Sequence, residues 1–558
     1  MKIGIFHGYE LIGSGSNQAT SYFARALAQA GHEVHILCRE PSPASIDFLD
    51  KAIQWDHAGQ HKILFEKDGN NNGVCILHQL PLPPVNAVYI TDTQRPGNVK
   101  SFSELTDEEL KEYHNFVVNS LLSVLKAHPI DILHNNHLVY QPVAAAEVCK
   151  ELGIPFIIYP RGSAIEYIVK HDKRYKELAR DPVLTADGLI TGNHEVRNRI
   201  VNLYPEHRDE ILSKTEIVGL GVDTTLFQPV ERQQRILSVE KIYNYAPFKG
   251  KSPELSQELF SRLDRGDINA VTGYREAYQI KQPDSNLIDK LQKIPWDSNT
   301  LIFVGATIAG KGLQTLIVSL PFILKQHPDT HLVVVGSGAS RELFEALTYA
   351  IAKKKETLLD TLIENGFDFD PINLSGPWND VKSFLSGDKN RTDLFNYGST
   401  LLEHVHFLGR LDHNLLRYLF PCADVGFFPS IVPEAYANVL FESLSNGVLP
   451  MASYFSGLAC GLDDLVSHLG QDLVDLMKIP VDNATRIPGL IKNLSHILSD
   501  VALETVSPKL RKIAVENFDW KIRAQQMVAV YSKFISAERS NPSITSDISG
   551  SGSIIDSN

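Results

Sequence analysis

Apolar and polar positions follow a strand–loop–helix rhythm over most of the chain. Residues 2–6 read as a buried strand, and a glycine-rich loop, Gly13-Ser14-Gly15-Ser16-Asn17, follows. Phe23, Ala26, Leu27 and Ala30 then share one helical face, Gly31 stops the helix, and 34–37 form the next strand. Residues 84–105 carry no regular pattern. The periodicity resumes with a helix over 107–127, a strand over 130–134 that runs into Asn135-Asn136-His137, a helix over 140–152, and a strand over 156–159 ending in Pro160-Arg161-Gly162-Ser163. A short strand within 186–192 leads to another helix. From Leu301 the same unit starts again: strand 301–304, loop 305–312, helix 313–325, strand 332–335. Further strands are expected at 405–408, at 425–430 and at 449–453, with a helix from near Ala437 to Gly447. Two such series predict an α/β protein with two Rossmann-like domains.

The expected organisation is a first domain over 1–225, an insertion or linker over 231–297, and a second domain over 298–521 that carries its own insertion at 341–402. A terminal helix over 522–535 is expected to cross back to the first domain, and the Ser-rich residues 536–558 to be disordered.

Candidate chemistry gathers at the loops that follow strands, where open α/β sheets bind ligands. The loop holding Lys311 opens a helix, so a cation and free backbone N–H groups face the same ligand. It is not a Walker loop, because Gly312 stands where Ser or Thr is required. Glu434 falls on the loop before the 437–447 helix and Glu442 on the helix itself. Eight residues of helix span about 12 Å. That spacing suits two carboxylates gripping the ends of one elongated ligand and is too long for an acid/base pair at one bond. The first loop is a partial dinucleotide fingerprint: Gln18 occupies the position of the third glycine, which weighs against a nicotinamide site. Asp368 and Asp370 have the spacing of a divalent-metal pair but lie in the second insertion, and His134 and His137 lack a third ligand nearby, so no metal is expected.

The net charge of −13, without a long Lys/Arg run, argues against nucleic acid as the main partner. Five scattered cysteines without Cys-x-x-Cys spacing read as reduced thiols. Neither a signal-peptide core nor a 20-residue apolar span is evident, so a cytoplasmic protein is expected, with peripheral contact at the inner face of a membrane open to it.

Taken together, the Gly13/Gly15 loop, Ala30-Gly31-His32-Glu33-Val34, Asp131-Ile132-Leu133-His134, Gly221-Val222-Asp223, Phe303-Val304-Gly305 with Lys311-Gly312, Phe407-Leu408-Gly409 and the Glu434-x7-Glu442 segment with Gly447 resemble the retaining glycosyltransferases of family 4, of GT-B fold. The resemblance covers most of 1–225 and 298–535. It implies transfer of a hexosyl group from a nucleotide-diphosphate sugar, with retention and without a metal or other cofactor, to a sugar, lipid-linked or small-molecule acceptor in a cleft between the domains. By the same resemblance Glu434 and Lys311 are catalytic. Gly15, Gly305, Lys311, Gly409, Arg410, Ala437, Asn438, Val439 and Glu442 would bind the donor, with Glu442 on the ribose, and Asn17, His134 and Arg161 would face the acceptor. Two positions depart from the family. Ala306 stands where a cation usually follows Phe-Val-Gly, and Arg161 stands where a His usually precedes Gly-Ser. Arg161 or Arg410 is expected to supply part of the lost charge, or Arg161 to meet an anionic acceptor. The rival readings are a GT-B sugar-nucleotide epimerase and a non-catalytic binding or scaffold protein.

Overall fold

The computed structural model describes residues 1–12, 15–67, 72–89, 97–274, 276–370, 374–436 and 438–539. The chain divides into two compact units. Of the described residues, one comprises those within Met1–Ile190, Val201–Glu216 and 524–539, and the other those within Thr191–Ile200 and Ile217–Arg523.

The first unit is built on a nine-stranded sheet. Its strands are β1 (Lys2–Phe6), β2 (Glu33–Cys38), β3 (Lys51–Trp55), β4 (His61–Glu66) and β5 (Val74–Gln79), followed after a break by β8 (Ile132–Asn136), β9 (Phe156–Tyr159), β10 (Gly188–Thr191) and β11 (Thr215–Ile217). Between the two groups, β6 (Asn86–Val88) and β7 (Val99–Ser101) form a small parallel pair, so part of 84–105 is regular after all. The order in the large sheet is β11-β10-β9-β8-β1-β2-β5-β3-β4. β1 pairs in parallel with β2 and β8, and β8 with β9, which aligns the C-terminal ends of these strands along one edge. β1 and β8 are almost entirely buried, as expected of strands covered on both faces. The 107–127 helix occurs as read, at Asp107–Ala127, and Thr106 with Glu109 forms its capping box.

The second unit holds a six-stranded parallel sheet in the order β14-β13-β12-β15-β16-β17. Its strands are β12 (Asn299–Val304), β13 (Thr330–Val335), β14 (Val405–Gly409), β15 (Val425–Phe428), β16 (Leu449–Ser453) and β17 (Lys478–Ile479). The helix predicted from Ala437 to Gly447 spans Asn438–Ser445, and Gly447 is left-handed at φ +71°. The last helix runs from Trp520 to Arg539, four residues past the expected end at 535. Residues 540–558 of the expected tail lie outside the described residues, as do Gly13, Ser14 and 90–96.

The segments read as insertions pack as core. Ile242, Leu259, Leu287, Leu291 and Trp296 from 231–297, and Leu343, Phe344, Leu347 and Trp378 from 341–402, share one hydrophobic cluster with β12–β15. The buried charges of 231–297 are paired. Lys251 Nζ lies 2.9 Å from Glu342 Oε1 and 2.8 Å from Glu345 Oε2, with the lysine and Glu342 side chains 1% exposed. Arg341 donates from both Nη atoms to the Asp284 carboxylate at 2.6 Å and from Nε to Glu345 at 2.9 Å. A buried carboxylate is tolerated only with such partners, and removing one partner strands the others. Asp284→Ala is therefore expected to destabilise the protein by about 3–5 kcal/mol, read as a lower urea midpoint. An unchanged midpoint would show that Arg341 finds another partner at no cost.

Candidate functional site

The parallel order of the second sheet brings the C-terminal ends of β12 and β15 side by side, so residues 123 positions apart in sequence meet. Lys311, from the loop after β12, forms an ion pair with Glu434 Oε1, from the loop after β15. Ser430 Oγ donates to the same carboxylate oxygen at 3.1 Å. The lysine and glutamate side chains remain 32% and 20% exposed, so the pair is open to a ligand.

The loop carrying Lys311 is shaped by contacts that sequence reading missed. Asp370 Oδ2 accepts the Ala309 N–H at 2.5 Å and the Ser340 hydroxyl at 2.6 Å. Asp368 Oδ1 accepts the Gly376 N–H at 2.9 Å. The Asp-x-Asp pair thus buttresses loops; Asp370 is buried and its carboxylate is committed. Gly312 sits at φ +76°, and a Cβ there would come 1.9 Å from the Pro429 carbonyl oxygen. Close backbone approach of the β12 and β15 loops is why glycine, rather than the Ser or Thr of a Walker loop, follows Lys311.

Around this pair the other expected donor residues take distinct places. Gly305 directly follows β12 and donates its N–H to Val335 O at 3.0 Å. Ala306 beside it is exposed. Asn438 and Val439 open the Asn438–Ser445 helix, and Asn438 Oδ1 is buried with no hydrogen-bond partner among the described residues. Ala437 lies outside the described residues. Gly409 ends β14, two strands from β12, and accepts the Gly336 N–H at 2.9 Å. Arg410 donates its backbone N–H to Gln282 O at 3.2 Å, while its half-buried guanidinium has no ion-pair or hydrogen-bond partner among the described residues.

Glu442 lies on the Asn438–Ser445 helix. It faces His413, whose Nε2 lies 3.5 Å from Glu442 Oε1, and its side chain is 12% exposed. Burial raises its carboxyl above the ordinary glutamate range, and the His413 imidazole acts in the opposite direction.

In the first unit the structure links two of the three expected acceptor residues. Asn17 Oδ1 lies 3.0 Å from His7 Nε2, and the Asn136 amide nitrogen lies 3.4 Å from His7 Nδ1. Asn136 Oδ1 accepts Arg161 Nε and Nη2 at 3.1 and 2.9 Å. Arg161 stacks on Tyr159 at 4.2 Å and has no carboxylate partner among the described residues. His7 and Asn136 are the connecting residues that sequence reading left unassigned, although both stand at strand ends. His134 is placed differently. It is 1% exposed, its Nδ1 lies 2.7 Å from Tyr531 OH, and burial, helped by the Arg161 charge, pulls its pKa down to about 3. It is a neutral core imidazole under the last helix. Gly15 is the first residue of the Gly15–Gln29 helix, and a Cβ there would meet nothing within 4 Å.

No protein-family model matches the chain. An uncharacterized glycosyltransferase of Methanocaldococcus jannaschii is 22% identical over 236 residues, 42% of this chain and 45% of that protein. A phosphatidyl-myo-inositol mannosyltransferase of Mycolicibacterium smegmatis is 23% identical over 242 residues, 43% of this chain and 47% of that protein. The chain spans about half the length of the curated relatives it matches. Among solved structures, sucrose-phosphate synthase from Thermosynechococcus elongatus aligns with 96% of this chain and 99% of its own, with a TM-score of 0.52 and 16% identity. The catalytic domain of starch synthase IV from Arabidopsis thaliana, bound to ADP and acarbose, aligns with 96% of this chain and 99% of its own, with a TM-score of 0.54 and 12% identity. The Anabaena protein HepE, in complex with UDP and glucose, aligns with 96% of this chain and all of its own, with a TM-score of 0.52 and 12% identity. At such identities the likeness shows the fold, and the fold is GT-B. No helix among the described residues is long and apolar enough to cross a membrane.

The Glu442 environment has a measurable sign. A folded-state pKa raised above the unfolded value favours the folded state at low pH, and that advantage is lost as pH rises through the folded value. At neutral pH the buried carboxylate therefore costs stability, and a glutamine does not. Glu442→Gln is expected to melt above the natural protein near pH 7, with the difference shrinking as pH falls from the raised folded value toward about 4.3, the ordinary glutamate value. Scanning calorimetry across this range checks it; a pH-independent difference would contradict the assignment.

Proposed function

We propose that this chain is a glycosyltransferase that moves a hexosyl group from a nucleotide-diphosphate sugar to a sugar, lipid-linked or small-molecule acceptor, with retention at the anomeric carbon and without a metal. The observation that carries the reading is the partly exposed Lys311–Glu434 pair at adjacent strand ends, next to the start of the Asn438–Ser445 helix. The arrangement suits a sugar diphosphate. Lys311 and the free N–H groups of the helix start neutralise the departing diphosphate. Glu434 holds the donor sugar, and Glu442, on the same helix, takes the ribose hydroxyls. Arg410, the uncommitted cation at the end of β14, supplies charge or a stacking plane at the nucleotide end in the absence of a cation at Ala306.

In the proposed reaction the acceptor hydroxyl attacks the anomeric carbon from the face the diphosphate is leaving. The bond from that carbon to the phosphate oxygen breaks as the new glycosidic bond forms, and the hydroxyl proton passes to the departing phosphate oxygen. Asn17 and Arg161, joined through His7 and Asn136, are proposed to face the acceptor. The glycosyltransferases among the relatives, and the UDP and ADP bound in the solved structures of like fold, support this class of chemistry.

The test is a donor screen by mass spectrometry against pooled acceptors, with the product anomer read by NMR. Lys311→Ala and Glu434→Gln are each expected to lower turnover by about 100-fold or more with unchanged circular dichroism. Near-natural turnover in both would overturn the proposal.

A further inference from the structure

We infer that Arg199 and Ser456 are positioning residues that hold the Glu434 loop by its backbone, an inference that rests on the proposed role of Glu434. While Lys311 and Ser430 hold the Glu434 carboxylate, three donors converge on its carbonyl oxygen: Ser456 Oγ at 2.6 Å, Gly457 N–H at 2.9 Å and Arg199 Nη2 at 3.2 Å. The next carbonyl, that of Ala435, accepts Asn193 Nδ2 at 2.8 Å. Arg199 Nη2 also donates to Ser456 Oγ at 2.8 Å, and its Nε donates to Glu195 Oε1 at 2.6 Å. The Arg199 side chain is 7% exposed, so these bonds are shielded from water. Asn193 is fixed in turn, because its Oδ1 accepts the Val196 N–H at 2.9 Å at the start of the His194–Leu203 helix.

Two backbone features show that the clamp is built rather than incidental. Ser456 stands at φ +58°, in the left-handed region that non-glycine residues other than Asn and Asp seldom occupy. Glycine would relieve that strain but would remove the hydroxyl that joins Arg199 to the Glu434 carbonyl. Strain of this kind persists where surrounding contacts over-determine it, and it clusters at functional sites. At Gly457 a Cβ would lie 2.4 Å from Ala435 O and 2.7 Å from Glu434 O, so the two loops touch backbone to backbone. Glu434 is thereby held at both ends, and its carboxylate has little freedom to follow a moving ligand.

The decisive variant is Ser456→Gly. A merely structural hydroxyl would lower thermal stability and turnover together. A positioning hydroxyl gives a different split: an unchanged or raised melting temperature, a roughly 10–100-fold lower kcat, and a donor KM within a few-fold of natural. Arg199→Lys keeps a charge beside Glu195 but loses the fork, and is expected to show the same split with a smaller loss than Arg199→Ala. Hydrogen exchange on the full chain is the second readout. Peptides covering 430–436 and 456–459 should exchange faster in both variants while the β12–β15 core stays protected. Natural exchange and natural kcat in Ser456→Gly would overturn the clamp, as would parallel losses of stability and turnover. If the natural protein turned over no nucleotide sugar, the role given to Glu434 would fall with the positioning inference built on it, and exchange alone would report whether the loop is held.

Discussion

The Lys311–Glu434 ion pair is the contact around which the second unit is arranged. It is partly exposed, and pairs of that kind contribute at most about 1 kcal/mol, so stability does not account for it. What it does is fix a cation and an anion at a shared point above two neighbouring strands. The surrounding structure serves that end: Asp370 shapes the lysine loop, Gly312 lets it touch the Pro429 carbonyl, and Ser430 steadies the carboxylate. A ligand with both phosphate and hydroxyl groups would find charge of each sign already oriented.

The two glutamates show how residues of one type part company. Glu434 lies on a loop beside a lysine, whereas Glu442 is desolvated on a helix and, among the described residues, has an imidazole at 3.5 Å as its ion-pair partner. The first is prepared for a polar partner by its neighbours, and the second is uncomfortable until a hydrogen-bonding partner arrives. Their eight-residue spacing suggested two carboxylates at the ends of one ligand, and the structure gives the two different environments.

Much of the frame was legible from periodicity. β1, β2, β8, β9, β12 and β13 fall where apolar runs end in glycine or polar residues, and the Asn438–Ser445 helix stops at its glycine. The pair itself was legible only as two separate residues at loop positions. What joins them is pairing between β12 and β15, which no local pattern encodes. For the same reason Asp370 read as half of a possible metal pair, and His7, Asn136 and Arg199 carried no signal. Each acts through a partner distant in sequence. Within 231–297, Lys251 and Asp284 are buried against Glu342, Glu345 and Arg341 on the helix Arg341–Ala352, a pairing that no local pattern encodes.

That segment also reaches both ends of the sheet. Arg232 and Arg235 grip Asp424 just before β15, where Asp424 Oδ2 also accepts the Thr300 N–H at 2.8 Å. At the other end Asp284 donates its N–H to Leu408 O at 3.0 Å beside Gly409. It works as a splint laid along the strands, pinned at the base and at the ligand edge. A fragment beginning at β12 would strip Asp424 of both its arginines, Arg341 of Asp284 and Glu345 of Lys251, all in a buried setting. The smallest autonomous form of the second unit therefore includes residues that a motif-based dissection would discard.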